Sequence, residues 1–415
     1  MIRAIEALNY RCLRHVRQTL GPFHVLVGPN ASGKSTFLDV VAFLGRLVRD
    51  GLDAAVSERT SNFYDLVWGR SGARFELAIE ACVAPDGEPD SASPLHFDTV
   101  RYECAVSIDG GLVRLASEDL LVGGSSRLRS SPRTAGARTP GSLARGSSRD
   151  GWRSLVSAVN GLYEIETETS ASLGGSRTFY RFPRQPDRSV LSFFNVDDRD
   201  LPVVSRLTRT LKEGVARVDL DNRALRAPSA PGQGQGLRVD GSGLPWVISE
   251  LSKRNPERFR DWMAHVKLAL PGLQAVRVVE RPEDRHKYVM LRYPGRLDVP
   301  SWMLSDGTLR FLALTVLPYA SRCEGTFFVE EPENSIHPLN VQLVMQSLTS
   351  VYQGQVLLAT HSPAVVADAR LDQILVVEND RRRGTRLIEG PRHPLLVDWK
   401  GTPSLPHLFA GGILG

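Results

Sequence analysis

Gly28-Pro-Asn-Ala-Ser-Gly-Lys-Ser35 decides how this 415-residue chain is read. The stretch fits G-x-x-x-x-G-K-[ST], in which glycines let successive backbone N–H groups turn toward phosphate oxygens. Lys34 is then placed to meet the β and γ phosphates, and the Ser35 hydroxyl to reach Mg²⁺. Gly28, Asn30, Ser32, Gly33 and Thr36 complete the expected nucleotide-binding set. Upstream, Phe23-His-Val-Leu-Val27 reads as a short buried strand, and downstream Thr36 to Leu47 reads as an apolar-rich helix. The N-terminus of that helix adds an anion-binding dipole. Strand, loop and helix in this order separate the motif from a glycine-rich turn that matches by chance.

Working outward, Thr326 to Val329 is a run of β-formers that ends in two adjacent carboxylates, Glu330 and Glu331, and then Pro332. A strand end of this kind supplies a metal-side carboxylate and, next to it, a base that orients water for in-line attack. Glu330 is assigned to the metal and Glu331 to the water. Glu333 reads as a loop or structural carboxylate, because the turn at Pro332 carries it away. A third strand, Gln355-Val-Leu-Leu-Ala359, runs into Thr360-His361-Ser362-Pro363. His361 thus closes a parallel core strand, on the edge where open α/β sheets bind ligands, and is expected to sense the γ phosphate. His337, in Ile336-His-Pro338, is left open between loop packing and a dimer-facing role. In Leu304-Ser-Asp-Gly-Thr-Leu-Arg310, Ser305 and Gly307 precede a helix expected from Leu309 to Leu317 and form a second anion-binding cap.

This set of motifs resembles the RecF/SMC/OLD-like branch of the ABC ATPases, in particular its small prokaryotic AAA_21-type members. The resemblance is carried by Asn9-Tyr10-Arg11, Gly28 to Ser35, Leu304 to Gly307, Phe327 to Glu333, His337-Pro338 and Thr360 to Pro363. It implies an α/β fold, a P-loop NTPase of ABC type with a split ATPase head. Residues 1–80 would form the N-terminal lobe and residues 300–415 the C-terminal lobe, around a mixed α+β insertion at 81–299. It also implies ATP and Mg²⁺ as cofactors, Glu331 and His361 as catalytic groups, Ser35 and Glu330 on the metal, and Arg11 on the nucleotide. The partner it implies is a second copy, a homodimer in which Ser305 and Gly307 complete the site of the opposite head. Larger OLD proteins append a TOPRIM nuclease domain, for which the roughly fifty residues after His361 are too few. A stand-alone ATPase acting on a separate effector protein is therefore expected.

The chain departs from that pattern in two places. Glu330 stands where ABC proteins generally carry Asp, a reach longer by one methylene. No Gln occurs between Lys34 and Gln185, so the glutamine that ordinarily follows the phosphate loop has no match near Tyr64-Asp-Leu-Val-Trp-Gly69.

Composition bounds the rest. Hydrophobic residues make up 42% of the chain, enough for a large core. Cys12, Cys82, Cys104 and Cys323 form no C-x-x-C pair, which argues against a disulfide framework or a zinc module. With neither a signal peptide nor an apolar run near the length of a membrane span, a cytoplasmic protein without a membrane partner is expected. The net charge is +5. Between Leu121 and Asp150 stand Arg127, Arg129, Arg133, Arg138, Arg145 and Arg149 against Asp150 alone, which accounts for the whole excess. Rich in Gly, Ser and Pro, this stretch reads as a disordered loop, either a nucleic-acid clamp acting through phosphate charge or a solvated linker. In the middle of the chain, Val100 to Val106 and Arg177 to Phe182 are strand-like, and Leu201 to Val215 and Pro245 to Leu270 carry helical spacing. Arg223 to Gly243 is a connection rich in Gly and Pro. Sustained heptads and repeats are missing, which disfavours a long SMC-type coiled coil.

The function expected from these residues and the resemblance is an ATP-hydrolysing dimeric switch. It would sense nucleic acid or a phage signal and control a partner effector in prokaryotic antiviral defence, the defence role resting on resemblance alone. The alternative is a RecF-like DNA repair or maintenance ATPase acting directly on DNA. A transporter ATPase subunit is disfavoured by the long insertion and missing glutamine, and a GTPase by the lack of N-K-x-D. Deleting Leu121 to Asp150 is expected to weaken DNA binding and flatten its dependence on salt if the stretch is a clamp, as mobility shifts across a salt series would reveal.

Overall fold

The computed structural model describes residues 1–82, 98–123, 142–143, 152–159, 162–168, 178–194, 200–232, 236–320, 325–352, 354–380, 383–397 and 404–411. The chain divides into two units. One comprises Met1–Gly21, Ala31–Val215 and Val377–Leu387, the other Pro22–Asn30, Ala216–Val376 and Ile388–Gly415.

The first unit is built on a six-stranded sheet in the order Leu13–Thr19, Ile2–Tyr10, Arg74–Cys82, Thr99–Asp109, Leu112–Gly123, Trp152–Ser154, antiparallel throughout. Edge and tilted contacts among Tyr10, Phe43 and Phe75, with centroids 5.1 to 5.9 Å apart, seat helix Lys34–Asp50 on this sheet. Phe37, Val40, Val41, Leu44, Leu47 and Val48 of that helix are all buried, more than one amphipathic stripe provides. Gly45 explains the second covered side: a Cβ there would run into the Leu211 carbonyl of helix Pro202–Glu213. Sheet register puts Glu80 opposite Arg101 and Glu6 opposite Ala78, so the charged groups share one face. Arg101, wholly buried, donates to Glu6 and Glu80, each at 2.8 Å, and to Glu103.

The second unit is built on parallel pairing. Phe23–Val27, buried throughout, pairs with Gly354–Thr360 on one side and with Ile374 to Val376 on the other. Gly354–Thr360 pairs in turn with Gly325–Glu330. Val215–Val218 stands next to Gly325–Glu330 at an edge of this sheet. Strands covered on both faces need continuous apolar runs, which the sequence supplies in Val25-Leu-Val27, Phe327-Phe-Val329 and Val356-Leu-Leu-Ala359. Helices Asp306–Thr315 and Pro338–Thr349 contribute Leu309, Phe311, Leu312, Val341 and Met345 to the core that buries Val329 and Leu358. A separate antiparallel sheet joins Ala275–Glu280, Lys287–Tyr293 and Leu297–Pro300.

Most expected elements are present with shifted ends. The phosphate-loop helix starts at Lys34 rather than Thr36 and runs to Asp50. The helical stretch from Pro245 to Leu270 is two helices, Leu244–Arg254 and Pro256–Ala269, because Pro256 cannot continue the first. The connection from Arg223 to Gly243 holds most of a short helix, Asn222–Arg226, capped by Asp221. Disorder from Leu121 to Asp150 is corrected where the chain is described. Leu121 to Gly123 end a strand, and Leu143 is buried against Leu8 and Ala78, with Ser142 and Leu143 donating to Glu76. The rest of that stretch, its arginines included, lies outside the described residues, as does Cys323; Cys12, Cys82 and Cys104 are free. Replacing the arginines by glutamine therefore tests the clamp without cutting into the sheet. Among the described residues the long phosphate-loop helix has 17 residues, and no helix is long and apolar enough to cross a membrane.

Burial pushes the Glu6 carboxyl up, but the bond to His15 and the charges of Arg101 and Arg17 outweigh it and hold Glu6 down at about 2. A depressed carboxylate contributes stability that is complete above its ordinary value of 4.5 and is lost as pH falls toward 2. Glu6→Gln is expected to remove about 3 kcal/mol at neutral pH and to flatten the acid limb of a denaturant-melt series.

Candidate functional site

The phosphate loop begins at the end of Phe23–Val27, and the chain passes from the second unit to the first between Asn30 and Ala31. Ala31 and Gly33 have φ of 62° and 108°. Gly33 caps helix Lys34–Asp50 in a left-handed conformation, and a Cβ there would collide with Thr385 and lie 3.0 Å from Cys12 Sγ. Thr385 Oγ1 donates to the Ser32 carbonyl at 2.8 Å, and Asn379 Nδ2 to the Ala31 carbonyl at 3.2 Å. These bonds brace the loop's carbonyls just before the helix start. The helix carries no acidic residue in its first turn, so its positive end is uncompensated. The Ser32 hydroxyl is buried and has no partner among the described residues. A phosphate oxygen is the kind of group that satisfies such an orphan donor. Lys34 is half-buried and Ser35 exposed.

Arg11 follows the first strand with φ of 52°. Its Nη1 lies 3.4 Å from Asp39 of the phosphate-loop helix. Asp39 is held more tightly by Arg59, at 2.6 and 2.9 Å, and by the Tyr10 hydroxyl at 2.6 Å. Tyr10 is wholly buried in the aromatic cluster and is a packing residue, whereas Arg11 remains half-exposed. The segment where a glutamine would be sought, Tyr64 to Gly69, is tied to this turn: Arg11 N donates to the Leu66 carbonyl at 2.9 Å.

In the second unit, parallel pairing brings the two catalytic candidates together. Glu331 Oε1 and His361 Nδ1 are 2.9 Å apart. Asn334 Nδ2 donates to the other oxygen of Glu331 at 2.6 Å, and Glu331 N donates to the Ala359 carbonyl at 2.8 Å. Glu331 itself sits at φ 46°, a left-handed conformation for a non-glycine residue. Glu330 is 3.3 Å from Arg217 of the neighbouring strand. Glu333 accepts from Thr360 Oγ1 at 2.6 Å, and burial pushes its carboxyl up against that bond. It is half-buried in the turn after Pro332, a loop carboxylate with a structural bond. His337 is the N-cap of helix Pro338–Thr349, accepting from Leu339 N through Nδ1 at 3.3 Å.

Ser305 is the N-cap of helix Asp306–Thr315, which begins three residues before the expected Leu309, and accepts from Thr308 N at 3.2 Å. Gly307 has a packing reason of its own: a Cβ there would run into the Ser335 carbonyl, in the loop after Glu331. Asp306 pairs with Arg226 at 2.5 Å. Ser35, in the first turn of helix Lys34–Asp50, and Glu330, at the end of strand Gly325–Glu330, each carry a hard oxygen of the kind Mg²⁺ takes.

The family described as "AAA domain, putative AbiEii toxin, Type IV TA system" matches residues 23–82 and 172–367, more than half of the chain. The chain belongs to this family. This AAA-type ATPase is also similar to an SMC head bound to the C-winged-helix domain of ScpA, with 16% identity over 93% of this chain and 97% of that chain and a TM-score of 0.52. A Pyrococcus furiosus Smc head with an extended coiled coil, bound to the C-terminal domain of ScpA, is 14% identical over 93% of this chain and 95% of that one, TM-score 0.49. The SMC head domain from Thermotoga maritima is 13% identical over 94% and 98%, TM-score 0.37. No curated protein matches the chain. The fold is that of an ABC-class P-loop ATPase head of the RecF/SMC type.

Sequence reasoning missed Asp39 with Arg59, and Thr385. Gly307→Ala in the AAA-type ATPase is expected to cost about 1–3 kcal/mol by forcing helix and loop apart, measurable as a lowered Tm.

Proposed function

We propose that this AAA-type ATPase is an ATP-hydrolysing switch, acting as a homodimer in the cytoplasm and controlling a separate effector protein in prokaryotic antiviral defence. Nucleic acid or a phage-derived signal is its input. The observation that carries the hydrolytic part is the Glu331–His361 contact at the ends of neighbouring parallel strands. With both oxygens held, by His361 and Asn334, the carboxylate has a fixed direction in which to orient water for in-line attack. Half-exposed, the imidazole of His361 remains able to meet the γ phosphate while it holds Glu331. Lys34 and the N–H groups of the phosphate loop bind the β and γ phosphates. Ser35 and Glu330 are the residues that would hold Mg²⁺, which would neutralise phosphate charge.

The homodimer reading rests on Ser305 and Gly307, which cap an exposed helix start and would address the nucleotide of the opposite head. Arg11 is proposed as a further nucleotide contact, delivered from its loose pairing with Asp39. Two of the comparisons support a head that works through another protein. The family description names a toxin of a type IV TA system, and the SMC head of similar fold is bound to a domain of ScpA.

The test is steady-state ATP hydrolysis by the purified protein with Lys34→Ala and Glu331→Gln beside it. Lys34→Ala is expected to lose tight nucleotide binding. Glu331→Gln is expected to bind ATP, stall turnover and accumulate as a dimer on size exclusion; normal hydrolysis by Glu331→Gln would remove the catalytic assignment. Protection from phage lost on deletion would support the defence role, and unchanged sensitivity would end it.

A further inference from the structure

Gly307 and Arg310 stand three residues apart and so share one face of helix Asp306–Thr315. At Gly307 that face lies directly on the Ser335 backbone, in the loop that carries Glu331 and Glu333. Arg310 is half-buried, and its Nη1 donates to the Leu220 carbonyl at 2.9 Å. Its Nε is buried without a hydrogen-bond partner among the described residues. Glu333 has the matching deficit. One of its oxygens accepts from Thr360, and the other, Oε2, is buried without a partner among the described residues. Burial draws the Arg310 guanidinium below its ordinary range, although Asp219, Asp306, Glu331 and Glu333 all act in the opposite sense. A cation and a carboxylate, each with one buried atom left without a bond, thus lie within electrostatic reach of one another without being joined. Leaving such groups unsatisfied is unfavourable, so a small movement of helix or loop that joins them is stabilised.

We propose that Arg310 is a positioning residue for ATP hydrolysis, exchanging the Leu220 carbonyl for Glu333 when the start of its helix is engaged. The proposal rests on Glu331 being the hydrolytic carboxylate. Ser305 lies just over one turn before Arg310, and Glu333 lies two residues after Glu331. Contact at the helix start is thereby transmitted, within one chain, to the loop that aims the water-orienting group. Asp306, held by Arg226, ties the first turn of the helix to the short helix Asn222–Arg226 and gives the movement a fixed point.

A double-mutant cycle tests this, with kcat, KM and the Kd of ATP measured for wild type, Glu331→Gln, Arg310→Gln, Arg310→Lys, Glu333→Gln and the Arg310→Gln/Glu333→Gln pair. Arg310→Gln and Glu333→Gln are each expected to lower kcat about tenfold while KM and Kd stay within about twofold, and the pair to be no slower than either alone. Arg310→Lys should recover part of the loss, since it restores charge without the fork. Multiplying effects in the pair, wild-type kcat in either single variant, or a loss of Kd that tracks kcat would overturn the coupling. Should Arg310→Gln melt early, Arg310→Lys and Glu333→Gln carry the test, and a wild-type kcat in Glu333→Gln refutes it. Normal turnover by Glu331→Gln, or none by wild type, would bring down the hydrolytic reading and this proposal with it. Additive variants on a background where Glu331→Gln is dead would bring down the coupling alone.

Discussion

Parallel pairing of Phe23–Val27 with Gly354–Thr360 is the constraint on which the candidate site depends. Because the strands run the same way, their carboxyl ends share an edge, and the register sets Val27 beside Thr360. The phosphate loop and His361 therefore leave the sheet from adjacent positions. One strand further on, Glu330 is level with Ala359, so that Glu331 turns off the sheet within reach of His361. An antiparallel arrangement would have sent one of these groups to the far end. The ligand edge of an open α/β sheet is in this sense a consequence of strand direction before it is one of side-chain chemistry.

Arg101 and Arg310 show two ways of treating a buried charge. Arg101 has a carboxylate for each of its three nitrogens, in Glu6, Glu80 and Glu103. Such a network contributes little net stability once desolvation is counted, but it admits one sheet register only. Arg310 and Glu333 are left incomplete, and Glu331 holds a backbone conformation that costs on the order of 1 kcal/mol or more for a non-glycine residue. Complete pairing suits a scaffold, whereas incomplete pairing beside a strained peptide suits a place that must change state.

What could be read from the sequence follows the range of the interactions. The phosphate loop, the carboxylate pair after an apolar strand, and Thr360-His361 are local patterns, and the fold class follows from them together. Ser305 as a cap was legible for the same reason, since its partner is three residues away. Thr385 was not, because it meets Ser32 across 353 residues and belongs to an unremarked turn of strand. Asp39 read as one more polar residue on a helix until Arg59 and Tyr10 were seen to converge on it. Leu143, one of the few large apolar residues in a stretch rich in Gly and Ser, was the sign that part of that stretch docks. Arg310 is a charge within Leu309-Arg-Phe-Leu-Ala-Leu314, and only packing shows which face it occupies.

The position of Phe23–Val27 has a consequence for how the protein is made. Both of its neighbours in the sheet, Gly354–Thr360 and Ile374–Asp380, come more than three hundred residues later in the chain. A ribosome needs on the order of tens of seconds to cover that distance. For all that time the central strand of the nascent chain has neither edge paired and leaves Phe23 and Val25-Leu-Val27 open to solvent. Loops this long also make closure slow. Synthesis of this chain should therefore lean on holding chaperones, and slowing translation between the phosphate loop and the last parallel strand should raise aggregation even in a sequence whose finished fold is stable.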